Sequence, residues 1–108
     1  MSLPGPERIR VATAQYPIDA PSSLGGWKDK QARWIADGAA TGAELLVLPE
    51  YGLMEIAAAL GTRVAGEVSA SLGAVADLRA EVDAVHVELA SRHRVHLLAA
   101  SGPARRAD

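Results

Sequence analysis

Glu50 is the residue of this chain whose type and position best suit chemistry. It follows Leu45-Leu46-Val47-Leu48-Pro49, a short apolar run between Glu44 and Pro49 with the signature of a strand buried in a parallel sheet. Parallel α/β sheets bind ligands outside the carboxyl ends of their strands. A carboxylate leaving a strand there is placed to take a proton from a nucleophile and return it to a leaving group. A plainer role stays open for the same residue: Pro49 and Glu50 also suit the first turn of a helix, where proline fits and an acid complements the dipole. Tyr51 and Met54 come next, placed either to line a substrate pocket or to fill core beneath that short helix. Glu55, five residues on, is not aimed at the same point as Glu50 and reads as solvated. Gln15, at the end of the first strand, is expected to hydrogen-bond near the floor of the site.

Other chemistry is poorly served. The sequence contains no cysteine, which excludes disulfides, thiolate metal sites and a cysteine nucleophile within these residues. His93 and His96 have an H-x-x-H spacing, but it straddles an expected helix-to-strand break and lacks an acidic third ligand, so no metal site is assigned. His86 and His93 fall along the edge of an apolar helix face, the ordinary place for a hydrogen-bonded rim histidine. Ser101 lacks a G-x-S-x-G setting, and Gly25-Gly26 does not directly follow a strand as a phosphate loop would.

The elements that must position Glu50 can be read from periodicity. Arg8 to Gln15 alternates Ile9, Val11 and Thr13 with Arg10, Ala12 and Ala14, a strand expected to be covered on both sides. After a loop rich in Pro, Ser and Gly, a helix puts Trp27, Trp34, Ile35, Gly38 and Ala39 on one side and Asp29, Lys30, Arg33 and Asp37 on the other. Gly42 is its natural stop. Lys28 and Lys30, the only lysines, read as surface residues of this helix. Tyr51 to Leu60 suggests a short helix, and 61–69 has no clear pattern. From about Leu72 a helical period returns, with Val75, Leu78, Val82, Val85 and Leu89 on one face and a Glu88 to Arg92 pair opposite. Val95 to Ala100 is the third strand. The order βαβαβ predicts a largely parallel sheet. Three strands alone leave an open edge and an uncovered face, which calls for more chain or a partner.

The 108 residues are 49% hydrophobic with a net charge of −2, the balance of one small globular domain. Charge is mixed, with no basic stripe, which disfavours nucleic acid and anionic membrane surfaces. No apolar run is long enough to span a bilayer and no secretory signal is evident, so a cytoplasmic location is expected. Residues 1–7 read as a flexible or vector-derived leader, and 8–108 as part of one domain.

Taken together, Ile9 to Gln15 (IRVATAQ), the helix, Gly42 to Glu50 (GAELLVLPE) and Val95 to Pro103 (VHLLAASGP) resemble the opening of the nitrilase superfamily of carbon-nitrogen hydrolases. The specific motif is the one around Glu50; the other pieces are apolar patterns. The resemblance implies that the chain is the N-terminal βαβαβ part of an αββα sandwich. It further implies a Glu-Lys-Cys triad that cleaves a small amide or carbamoyl compound, less commonly a nitrile, without a cofactor, in a protein that forms homo-oligomers. Glu50 carries over as the catalytic base and acid and Tyr51 as a substrate-binding residue. The catalytic Lys and Cys have no counterpart in the sequence, because both lie beyond the third strand in that family. The chain is thus expected to be incomplete, and inactive by itself. The alternative is a non-catalytic α/β module that binds a small ligand or a partner at its open sheet edge, with Glu50 as a helix cap.

Overall fold

A computed structural model describes residues 7–106; the leader expected at 1–7 lies, apart from Glu7, outside them. The described residues form three strands and five helices in the order β1 (Val11–Thr13), α1 (Leu24–Ala40), β2 (Leu45–Val47), a 3-10 turn (Gly52–Glu55), α2 (Ile56–Ala59), α3 (Thr62–Ala65), α4 (Val68–Asp77), α5 (Arg79–His93) and β3 (His96–Leu98). The strands form one parallel sheet in the order β1-β2-β3. This is the α/β class that the alternating pattern predicts.

Helix boundaries follow local chemistry. Ser23 caps α1 by accepting from the Gly26 N–H at 3.0 Å, and the chain turns out of the helix through Gly42 at φ 84°, a conformation open to a residue without Cβ. Glu67 caps α4, its carboxylate accepting from the N–H groups of Ser69 and Ala70. The stretch without a sequence pattern contains α3 and the start of α4. The long helix expected from Leu72 is instead two, α4 and α5, broken at Leu78. Arg92 pairs with Glu88 as the spacing predicts.

Register explains the layering. Ala12, Leu46 and Leu97 stand side by side across the three strands and pack with Ile35 of α1 and Leu89 of α5. Both long helices therefore cover the same face. The neighbouring positions point the other way, because strand side chains alternate. There Val11 is 49% and Leu98 60% exposed, with Leu45 and Val47 only partly buried. The expectation that the first strand is covered on both sides is thus met on one side only among the described residues.

A second core lies beyond the carboxyl ends of the strands. Trp27, Leu48, Leu53, Ile56, Val75, Val82 and Ala100 are buried against one another there. Full burial of a side chain such as Ile56 contributes about 1.5–3 kcal/mol. This core joins the exits of β2 and β3 to α1, α4 and α5, and so carries the region in which Glu50 sits. No helix among the described residues is long and apolar enough to cross a membrane.

Candidate functional site at the strand exits

Glu50 leaves the central strand through Leu48 and Pro49 and is exposed. It does not cap the turn that follows, whose N-cap is Tyr51, without a side-chain cap bond. Tyr51 adopts the left-handed conformation at φ 56°, a sparsely populated region for a residue with a Cβ. Its N–H donates to Ser101 Oγ at 2.7 Å, and the Leu53 N–H donates to the Ser101 carbonyl at 3.2 Å. The Tyr51 side chain is 59% exposed, whereas Met54 packs against the core.

Close packing fixes this turn against the exit of β3. A Cβ on Gly52 would lie 2.7 Å from that of Ala100, and one on Gly102 would lie 2.7 Å from that of Leu53. Both glycines are there because the two exits approach too closely for any side chain.

On the other side, toward β1, lies a buried polar chain. Glu55 is 3% exposed, not solvated as its position in the sequence suggests. One carboxylate oxygen accepts from the Tyr16 hydroxyl; the other accepts from Lys30 Nζ at 2.7 Å and from the Asp19 N–H at 3.1 Å. Lys30 is likewise buried, against the expectation of a surface lysine. Besides Glu55, it donates to the Pro17 carbonyl at 2.5 Å and pairs with Asp19 at 2.9 Å, while its ammonium lies 3.9 Å from the Tyr16 ring centroid. With three N–H bonds and three oxygen partners, it has no proton left for a substrate oxyanion. Lys28 remains at the surface, paired with Glu81.

The chain continues inward. Gln31 Nε2 donates to the Tyr16 hydroxyl at 2.5 Å, and Gln31 Oε1 lies 2.9 Å from His86 Nε2. Since that oxygen can only accept, His86 carries its proton on Nε2. Its Nδ1 is buried without a partner, as is Trp27 Nε1, and the two rings meet edge to face at 5.7 Å. Burial holds the His86 pKa below the usual histidine value; nearby Arg79 adds to the shift and Asp83 opposes it. Burial, reinforced by the Glu55 carboxylate, pushes the Tyr16 hydroxyl far above the usual range and keeps it protonated as a donor. Gln15, expected at the site floor, is exposed, while its neighbour Tyr16 is buried in this polar chain.

The residues missed by sequence reasoning carried a signal. Lys30 is three positions after Trp27 and four before Trp34, and Gln31 is four after Trp27 and four before Ile35, spacings that place both on the apolar stripe of α1. Glu55 lies directly before Ile56 and Ala57, which are buried.

An apolar cleft of about 280 Å³ lies between α1 and the β1–β2 pair, lined by Ala12, Ala14, Trp34, Gly38, Leu46 and Leu48 among others. Neither Glu50 nor Tyr51 borders it. Among the described residues no three His, Cys, Asp or Glu side chains are grouped to hold a metal ion. What the strand exits provide is an accessible carboxylate in a fixed turn, with the Ser101 hydroxyl accepting from the Tyr51 N–H and no cysteine in the sequence. Comparison with protein-family models, curated proteins and solved structures found no match.

Proposed function

We propose that this chain is the N-terminal portion of a carbon-nitrogen hydrolase of the nitrilase type, with Glu50 as its catalytic carboxylate and a small amide or carbamoyl compound as substrate, a nitrile being the second choice. The observation that carries the reading is the placement of Glu50. It is an accessible carboxylate with no capping duty, at the carboxyl end of the central strand of a parallel sheet, where ligands of such sheets bind. The layering supports it too. Helices cover one sheet face and leave an apolar face open, as half of an αββα sandwich would.

On this reading a cysteine thiol and a lysine ammonium come from outside these residues, because the sequence has no cysteine and Lys30 is fully engaged. Glu50 takes the thiol proton as sulfur bonds to the carbonyl carbon. The ammonium stabilises the oxyanion. The C–N bond then breaks, and Glu50 returns the proton to the departing amine. Water attacks the thioester, again giving its proton to Glu50, and the acid leaves as the thiol is restored. On this reading Tyr51, exposed and next to Glu50 in the chain, touches the substrate.

A second reading, a non-catalytic α/β module binding at its open sheet edge, draws on the exposure of Glu50. The test is release of ammonia or amine from a panel of short aliphatic amides and carbamoyl compounds by the full-length protein, before and after alkylation with iodoacetamide. The hydrolase reading expects release that alkylation abolishes. No release from any member of the panel favours the binding module.

A further inference from the structure

We propose that Glu55 is a positioning residue for Glu50: with Lys30, Tyr16 and the backbone of Asp19 it fastens the exit of β1 to the turn that presents Glu50. The assignment deepens the hydrolase reading and rests on it for its catalytic meaning, though the fastening itself is a property of this chain.

The argument begins with a buried charge. Removing a carboxylate and an ammonium from water costs several kcal/mol per ion, and apolar residues of similar size in their place are often as stable or more so. A buried pair is therefore poorly explained by stability alone. Here the pair lies where a loop, a helix and a short 3-10 turn must be held together. Asp19 and Pro17 belong to the long loop leaving β1, Lys30 to α1, and Glu55 to the end of the 3-10 turn leaving β2. A fully satisfied set of directional bonds specifies how the loop sits against the turn at such a junction.

The opposite side of the turn is held by Ser101, which accepts the Tyr51 N–H, and by the Gly52 and Gly102 contacts. Glu50 and Tyr51 thus stand on a short segment clamped from β3 on one side and, through Glu55, from β1 on the other. The left-handed Tyr51 is a conformation that persists only where its surroundings over-determine it. Gln31 hydrogen-bonds the Tyr16 hydroxyl on one side and His86 on the other.

The test is site-resolved hydrogen exchange on the full-length protein, reading the Asp19 amide and the Tyr51 to Met54 amides against those of α5. Two variants are needed. Lys30→Leu with Glu55→Leu removes both charges together and so leaves none unpaired. Tyr16→Phe removes one hydroxyl and keeps the ring in the core, and so serves if the double variant does not fold. The expected result is exchange about tenfold faster at Asp19 and Tyr51 to Met54 with α5 unchanged, as for loss of hydrogen bonds to a charged group. Unchanged exchange at those amides, or an equal rise throughout α5, overturns the assignment. Absence of amide turnover with the expected exchange pattern would instead remove the hydrolase reading and leave the clamp in place.

Discussion

Lys30 Nζ sits 2.7 Å from Glu55 Oε2, with only 6% and 1% of the two side chains open to solvent. Twenty-five residues separate them, and the contact joins the middle of α1 to the turn after β2. The single variants are therefore unequal to the double. Lys30→Met leaves a carboxylate in the core without its cation and is expected to cost about 3–5 kcal/mol, whereas the paired apolar replacement is expected to be close to neutral. Urea unfolding of the three proteins checks this. Similar losses from the single and double variants would contradict a buried pair.

His86 gives the fold a pH dependence of definite sign. Its folded pKa is held below the ordinary histidine value of about 6.5 by burial, so at mildly acid pH the unfolded chain binds the proton that the folded chain refuses. The contribution is fully present above about pH 6.5 and is lost as pH falls through it toward the lowered folded value. His86→Gln, which keeps a donor for Gln31 and does not titrate, is expected to flatten this part of the stability profile. Denaturant midpoints between about pH 5.5 and 7.5 measure it.

At the β2–β3 junction, Gly52→Ala and Gly102→Ala each place a methyl group 2.7 Å from a neighbouring carbon. Either is expected to cost about 1–3 kcal/mol as the exits are forced apart. Thermal unfolding reads the loss, and tolerance of both substitutions would mean the exits are less tightly apposed.

The two faces of the sheet should answer differently to mutation. Leu46, 4% exposed under α1, is expected to lose about 2–5 kcal/mol on change to Ala. Leu98, 60% exposed on the other face, is expected to change by no more than about 0.5 kcal/mol on change to Ser in the 108-residue chain. A large loss at Leu98 would show that this face is covered in solution.

The alternation of elements was legible in the sequence because period two and period 3.6 differ sharply in Arg8 to Thr13 and Trp27 to Ala39. Leu45 to Leu48 announced the central strand by its unbroken apolar character. The partners of Glu55 were not legible, since pairing Lys30 with a residue 25 positions away depends on how the 3-10 turn folds back. A lysine and a glutamate are solvated so much more often than buried that the stripe position of Lys30 on α1 was outweighed. Gln15 and Tyr16 differ by one step along an extended segment, and one step exchanges the two faces. The break at Leu78 was hidden because Val75, Leu78 and Val82 keep helical spacing across it.

The measurement that tests the central claim most directly is the steady-state rate of amine release by the full-length protein beside its Glu50→Gln variant, on whichever small amide the parent cleaves. Gln keeps the size of Glu50 but cannot accept and return a proton. The account expects kcat to fall by about a hundredfold or more, with the folded circular dichroism spectrum unchanged. A variant that turns over at the parent rate would contradict it.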